Sequence, residues 1–563
     1  MGLPIGVALV GLMAGTGLIT LVASVVDVAT VAPTLASMVG LGVGIDYALF
    51  IVTRHRENLR RGFGVEEAAA RAIATSGAAV LFAGITVVIA ISGLAIAGIQ
   101  AVTVMGLMAG LTVAMMVAVA LTLLPALLGF AGRRVDALRV PGIGRADRTA
   151  GADGQAGTGG HGGRETLWHR WGRQVSAHPW RYLTLGVVTL ALASAPVLGL
   201  RLGWPDNGTQ SESLTTRRAY DLLADGFGDG FNGPLLLSVE LGELDGGADA
   251  DRVLGGLADA LDADPGVADV AEPVVNEPGT AAVVRVIPTT APQDEATTDL
   301  IARLRADVIP AALTDVGAAD LPVHVGGATA VFVDMSERIE QRLPWFVGAV
   351  LVLSVLLLTV VFRSVAVPLK AAVMNLLSIG AAYGVIVAVF QWGWGRSLFG
   401  VEESVPIVSF LPMMLFAILF GLSMDYEVFL LSRIREEYLA RRDSDTSVVE
   451  GIAATARVIT SAALIMISVF AAFALADDPT IKMFGLGLAT AVLVDATIVR
   501  VVLVPATMRL LGDWNWWLPG WLDRRLPRLD LEGEAALDAL GEMDGSGTPD
   551  ATDRERRTPV VVG

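Results

Sequence analysis

The chain has 563 residues, of which 53% are hydrophobic and 17% are charged, and it carries a formal net charge of -17. Its mean hydropathy of +0.62 is well above that of a soluble domain, so we predict a mostly α-helical, polytopic membrane protein. The lack of cysteine excludes disulfides, thiol catalysis and cysteine-ligated metal centres. Lysine occurs only at Lys370 and Lys482, in neither case within a phosphate-binding Gly-Lys-Ser/Thr loop. The acidic balance argues against nucleic-acid binding.

Ten apolar stretches reach the roughly 20 residues that a helix needs to cross a membrane. They lie at about 4 to 26, 31 to 53, 76 to 98, 102 to 130, 182 to 200, 344 to 362, 367 to 391, 405 to 432, 458 to 476 and 481 to 511. Arginines cluster after the second, fourth and eighth stretches, and the positive-inside rule places those ends in the cytoplasm. We therefore predict a multi-pass protein of the plasma membrane with both termini in the cytoplasm.

The stretches and the segments between them predict six regions along the chain. They are a first transmembrane repeat of four helices (1–130), a Gly-rich cytoplasmic linker (131–180), a transmembrane helix (181–201), an extracytoplasmic α+β domain (202–341), a second transmembrane repeat of five helices (342–511) and a Trp-rich interfacial segment with an acidic, disordered tail (512–563). The α+β domain has the order strand, helix, strand, strand, helix, strand, which is the split βαβ arrangement.

An Asp-Tyr pair occurs in the second and again in the eighth apolar stretch, as Asp46-Tyr47 and Asp425-Tyr426. An offset of 379 residues superimposes the two pairs and also superimposes Pro412 on Pro33, Gly421 on Gly42, Phe429 on Phe50, Arg433 on Arg54, Arg435 on Arg56 and Glu436 on Glu57. A carboxylate in hydrocarbon is costly and rare, so an intramembrane aspartate is a functional-site hypothesis by default. Its duplication points to a transporter with two parallel repeats.

Each pair is predicted to lie near mid-membrane, because the first arginine follows eight residues later, or about 12 Å along a helix. Gly42 and Gly421, one turn before the aspartates, permit a close helix approach. Phe50 and Phe429, one turn after them, are placed to wall the site from water. Each tyrosine can hydrogen-bond the carboxyl of the other repeat. The alternative is that Asp and Tyr only hold helices together.

Hydroxyls and a second carboxylate accompany the pairs. Thr75-Ser76 and Thr460-Ser461 are predicted to cap helices rather than relay protons. Counted from them, Ser468 aligns with Ala83, so a relay hydroxyl is expected in one half only. Asp495 and Arg500 form either a structural polar pair or a coupling element. Counted from Pro125 and Pro505, their counterparts are Met115 and Ala120, so the halves are predicted to be functionally unequal.

The duplication also predicts that the first repeat is incomplete. Leu3-Pro4-Ile5 matches Val367-Pro368-Leu369, but the helix, α+β domain and helix that precede the second motif have no counterparts before the first. We therefore expect an N-terminally shortened version of a symmetric protein, in which the second pair is the stronger relay candidate. The histidines show no metal-ligand spacing and no catalytic motif appears, so no metal, cofactor or catalytic residue is predicted.

The runs Gly40 to Arg54 and Gly421 to Arg433, together with Val494 to Arg500 and Val504-Pro505-Ala506, resemble the mycobacterial membrane protein large (MmpL) family. That family belongs to the resistance-nodulation-division superfamily, whose members export lipids or hydrophobic molecules using proton flux. The resemblance implies that Asp46, Tyr47, Asp425 and Tyr426 form the proton relay. It also implies that residues 202 to 341 are the second of two porter domains.

The leading hypothesis from the sequence is a proton-driven exporter of lipids or amphiphiles. Its expected partners are a lipid or hydrophobic substrate, membrane lipids, and either a second copy of the chain or a missing N-terminal half. One alternative is a non-transporting fragment or regulatory subunit of such a transporter. Another is an intramembrane aspartyl protease, which also needs two aspartates on different helices but gives the two tyrosines no role.

Overall fold

The computed structural model describes residues 2–132, 167–242, 247–401, 403–441 and 443–526. Ten helices among these residues are long and apolar enough to cross a membrane, and we number them spans 1 to 10. They are Gly2–Ala23, Ala32–Arg60, Val65–Ala97, Gln100–Ala131, Pro179–Gly199, Ala328–Phe362, Ala366–Gln391, Leu411–Arg441, Ser444–Phe473 and Pro479–Trp516. A lipid-exposed segment must pair its backbone polar groups internally, so these stretches are helical. The predicted polytopic bundle is confirmed.

The ends of spans 3 and 9 differ from the prediction. Span 3 begins at Val65 and span 9 at Ser444, so Thr75-Ser76 and Thr460-Ser461 lie inside helices and do not cap them. Asp443 provides the cap of span 9, because its carboxylate accepts from the backbone N–H groups of Asp445 and Thr446. The first turns of both helices are polar, so they lack the apolar pattern that predicts a membrane span.

Two predicted regions are described only in part. Residues 133–166, which form most of the predicted linker, and 527–563, which form most of the predicted tail, lie outside the described residues. The end of the linker forms a helix, Leu167–Ala177, which we call the linker helix. Pro179 begins span 5 directly after it.

The α+β domain contains one antiparallel sheet. Its strands are β2 (Leu235–Glu240), β3 (Val267–Val270), β4 (Val274–Val275), β5 (Ala281–Pro288) and β6 (Val323–Gly326), numbered after a short β1 (Leu202–Gly203). The order β3-β5-β2-β6, with helices Gly247–Asp262 and Glu295–Arg303 as connections, is the predicted split βαβ arrangement. Alternate residues of β2 and β5 are buried, as expected of a sheet with helices on one face.

An ion pair ties one of these helices to the turn before β3. The Arg303 guanidinium donates to both Asp264 carboxylate oxygens, at 2.7 and 2.8 Å. The Gly266 N–H also donates to that carboxylate, at 2.8 Å. The charge-assisted bonds from Arg303 hold the pKa of Asp264 below its usual value.

The α+β domain is joined to the start of span 8. Strand β1 pairs in parallel with β7 (Ile407–Val408), which lies just before that span. The Ser409 hydroxyl donates to the Gly203 carbonyl at 2.8 Å, and the Trp204 ring stacks on Phe332 of span 6 at 4.6 Å. The domain is therefore fixed to the span that carries the second Asp-Tyr pair.

Spans 5 and 7 approach closely at Gly384. A Cβ added there would lie 1.8 Å from the Ala193 carbonyl oxygen, so the backbone would have to move. We expect Gly384→Ala to destabilise the protein by at least about 2 kcal/mol, a typical cost of overpacking. Gly348→Ala is the matched control, because nothing lies within 4 Å of its added Cβ. Thermal unfolding of the detergent-solubilised chain compares them, and equal midpoints would contradict the close packing.

Candidate functional site: a polar cluster between the repeats

Spans 2 and 8, which carry the Asp-Tyr pairs, face one another inside the bundle. The rings of Phe50 and Phe429 meet edge to face with their centroids 4.6 Å apart, a favoured geometry for aromatic pairs. The Tyr426 hydroxyl lies close enough to the Asp46 carboxyl to interact with it as a hydrogen-bond donor, and it also donates to Met466 Sδ at 3.8 Å. The structure therefore brings the first aspartate and the second tyrosine together across the interface between the repeats.

Asp46 is buried with part of its hydrogen-bonding capacity unused. The residue is 5% exposed, and its Oδ1 has no partner within the described part of the chain. Since buried polar atoms are normally paired, such an oxygen is a place where a proton or a water molecule can be taken up. Tyr47 is also buried. The side chain of Asp425 lies outside the described residues, so its contact with Tyr47 stays a prediction.

Gly42 and Gly421 each lie where the Asp-Tyr span of one repeat packs against a helix of the other repeat. A Cβ on Gly42 would lie 2.6 Å from Phe470 of span 9, and one on Gly421 would lie 2.9 Å from the Cα of Val87 in span 3. Each Asp-Tyr span thus packs closely against a helix of the other repeat at the position one turn before its aspartate. The glycines let the two repeats approach closely beside the Asp-Tyr pairs.

Span 10 adds a second carboxylate to the site. Arg500 Nε donates to Asp495 Oδ2 at 2.8 Å, and the Ser423 hydroxyl of span 8 donates to Asp495 Oδ1 at 3.0 Å. The Ser423 Oγ also lies 2.8 Å from Asn375 Oδ1 of span 7, and Arg500 donates to the Ser423 carbonyl. Asp495 and Arg500 are 8% and 3% exposed. We call these four residues the polar cluster.

Tyr426 connects the polar cluster to Asp46. The Arg500 guanidinium carbon lies 5.3 Å from the centre of the Tyr426 ring, within the range of a cation–π contact. Beside them is a cavity with about 20 Å³ of space for the centre of a water molecule, lined in part by Tyr426, Asp495 and Arg500. That space suits roughly one ordered water. Polar groups therefore run from Asp46 through Tyr426 and Arg500 to Asp495.

Sequence reasoning missed two charged residues beside this path. Glu427 of span 8 is buried and Lys370 of span 7 is half-buried, and their opposite charges interact. In the described structure Lys370 Nζ and Glu427 Oε1 have no hydrogen-bond partner. The available signals were the rarity of lysine and the position of Glu427 directly after Tyr426. The repeat offsets place Gly6 and Ala48 at the corresponding positions of the first half.

The first repeat fills the corresponding space with an apolar side chain. The same offsets place Asn375 on Gly11 and Ser423 on Gly44. A Cβ added to Gly11 or Gly44 would lie 2.5 or 2.7 Å from the Met116 sulfur. In the first repeat, Met116 thus occupies the position that Asp495 has in the second. The sequence offset predicts the neighbouring residue, Met115, as this counterpart. The reason is that a π-helical turn, Asp495–Leu503, takes up one extra residue in span 10.

Ser468 is not brought to the cluster. Its hydroxyl donates to the Leu464 carbonyl of its own helix at 2.8 Å, on an exposed face. Span 9 instead turns Ile459, Ala463 and Met466 toward the cavity. Ser468 follows Met466 by two residues, or about 200° around the helix, so the predicted relay hydroxyl points away. Within the described residues no group of three or more metal-ligating side chains occurs.

Comparison with known proteins identifies sequence relatives of the whole chain. Residues 1–182 and 218–529 match the model of the MMPL family. The chain is 40% identical to the membrane protein YdfJ of Bacillus subtilis, with 94% of this chain and 70% of that protein covered. It is 35% identical to the mycolic acid-containing lipids exporter MmpL11 of Mycolicibacterium smegmatis, with 94% and 54% covered. For the trehalose monomycolate exporter MmpL3 of Mycobacterium tuberculosis the identity is 30%, with 100% and 60% covered.

Proposed function

Because the chain belongs to the MMPL family, we propose that it is a proton-driven exporter of lipids or other amphiphiles. Members of this family are transporters rather than enzymes, so the aspartyl protease alternative is not favoured. Two relatives bear the names of lipid exporters. The observation that carries the proposal is the buried polar path from Asp46 through Tyr426 and Arg500 to Asp495, which crosses the interface between the repeats.

In this proposal a proton is taken up at Asp46 and the interface between spans 2 and 8 responds. Protonation removes a negative charge and changes how strongly the carboxyl attracts the Tyr426 hydroxyl. A ligand shifts a conformational equilibrium only through its unequal affinity for two states, and here the proton is that ligand. Since β7 leads directly into span 8, a shift of this span moves the α+β domain. Release of the proton on the other side resets the protein.

We further propose that both termini are cytoplasmic and that the α+β domain is extracytoplasmic. The domain joins span 8 at its first residues, whereas Arg433 and Arg435 lie toward its other end. Arg54 and Arg56 lie toward the corresponding end of span 2. The positive-inside rule assigns those arginine-bearing ends to the cytoplasm.

The working transporter is proposed to contain further helices beside span 1. The most apolar part of span 1 is 28% buried, whereas the most apolar part of its counterpart, span 7, is 67% buried. Span 5 covers span 7 at Gly380 and Gly384. The chain also spans only 54 to 70% of the three relatives. An equivalent of span 5, from a longer chain, a partner or a second copy, would cover span 1.

Reconstitution tests the proposal. The full chain is placed in phosphatidylethanolamine and phosphatidylglycerol vesicles that contain a fluorescent phosphatidylethanolamine, and lipid movement is followed by dithionite quenching. We expect an imposed pH gradient to drive movement that stops when a protonophore is added. Movement that ignores the protonophore would contradict proton coupling. No movement at all would favour the non-transporting fragment.

A further inference from the structure

The linker helix donates a hydrogen bond to span 10 directly beside the polar cluster. The Trp171 indole N–H donates to the Val501 carbonyl of span 10 at 2.9 Å. Val501 follows Arg500 in the chain and lies within the π-helical turn. The linker helix, which lies between the two repeats in the chain, therefore carries a side chain that bonds the backbone next to Arg500.

The Val501 carbonyl accepts this bond because its usual donor is missing. In an α-helix the carbonyl of residue i bonds the N–H of residue i+4. The residue four positions after Val501 is Pro505, which has no backbone N–H. The last bond of the π-helical turn runs from the Val504 N–H to the Val499 carbonyl, so the Val501 carbonyl lies beyond those that bond in the i to i+5 register. The indole supplies a donor in place of the one that proline lacks.

Contacts on two sides hold the linker helix in this position. A Cβ on Gly172 would lie 3.5 Å from the Cα of Val449 in span 9, and His169 Nε2 lies 3.1 Å from Glu450 Oε2 of the same span. The ring centroids of Trp171 and of Tyr182, in span 5, are 5.7 Å apart. Because these contacts orient Trp171, its hydrogen bond is a fixed part of the packing.

We infer that Trp171 is a positioning residue for the polar cluster. By bonding the Val501 carbonyl it stabilises the π-helical turn, which in turn sets the Arg500 guanidinium against Asp495 and the Tyr426 ring. The inference rests on the proposed function and extends it, because it makes the segment that joins the repeats a determinant of relay geometry. A change in the position of the linker helix would be passed to Arg500 through Val501.

A double-mutant cycle tests this role in the vesicle assay. Trp171→Phe keeps an aromatic ring but removes the donor, and we expect a roughly fivefold lower maximal rate, the effect of about one hydrogen bond. The lipid fraction that gives half the maximal rate is expected to stay unchanged. Pro505→Ala restores a backbone N–H, so Trp171→Phe should have no further effect in that background. Trp168→Phe, in the same helix, is the control and should match the wild type.

Three outcomes of the transport assay would overturn the inference. They are a wild-type rate for Trp171→Phe, an equal loss with and without the Pro505→Ala change, or a rise in the half-saturating lipid fraction instead of a lower maximal rate. Amide hydrogen exchange of residues 495 to 508 adds a measurement that is independent of transport, and Trp171→Phe should speed it while Trp168→Phe should not. A wild-type chain that moves no lipid contradicts the proposed function, whereas unchanged exchange in Trp171→Phe contradicts the inference.

Discussion

Asp46→Asn is expected to abolish proton-driven lipid movement, with a fall of about 100-fold or more, in the range that proton-transfer groups contribute. Asparagine has nearly the size of aspartate, but its amide does not take up a proton at physiological pH. The loss should leave folding intact, because a neutral side chain costs less in the membrane interior than a carboxylate. The measurement is the gradient-driven rate in vesicles, normalised to the amount of inserted protein.

Asp27→Asn is the matched control for Asp46→Asn. It makes the same change in the same repeat, at an exposed position between spans 1 and 2, and it should leave the rate unchanged. Asp425→Asn makes the change in the other repeat, and we expect it to abolish movement as well. Full activity of Asp46→Asn would contradict the relay across the repeats. If Asp425→Asn alone were inactive, only the second repeat would carry protons.

The bundle could be predicted from the sequence because hydrocarbon thickness sets the length of each span. That constraint located all ten helices, although the polar extensions that lie outside the membrane were not included. The polar starts of spans 3 and 9, at Val65 and Ser444, were missed for this reason. Four of the five strands of the sheet in the α+β domain were found from their apolar runs, and β2 and β5 alternate buried and exposed residues. The two-residue strand β4 was not predicted, because it is too short to give a pattern.

The site could be predicted from the sequence only where both repeats carry the same residues at matching positions. The matching offset singled out Asp46 and Tyr426, and the structure places them in contact. The roles of Asn375, Lys370 and Glu427 depend on how spans 7, 8 and 10 cross, which a single sequence does not specify. The register of Asp495 was shifted because a π-helical turn adds a residue without a recognisable sequence signal. Duplication thus reveals symmetric parts of a site and hides the parts that differ.

Breaking the buried pair of span 10 is expected to destabilise the protein strongly and unequally. Asp495→Leu leaves the Arg500 guanidinium buried without its carboxylate, at a cost of about 3 to 5 kcal/mol. Arg500→Met should cost less, because the remaining carboxyl can become neutral by binding a proton, whereas guanidinium cannot lose one. Both single variants should lose transport. Thermal unfolding of the detergent-solubilised chain gives the order of stability.

The double variant Asp495→Leu/Arg500→Met separates the cost of an unpaired charge from the value of the pair. Replacing a whole buried ion pair with apolar side chains of similar size is often neutral. We therefore expect the double variant to unfold within about 1 kcal/mol of the wild type and yet to move no lipid. A double variant as unstable as Asp495→Leu would show that Ser423 and Asn375, left without Asp495, carry the stability instead. A stable double variant that still couples lipid movement to the gradient would remove span 10 from the relay and leave Asp46 and Tyr426 as its centre.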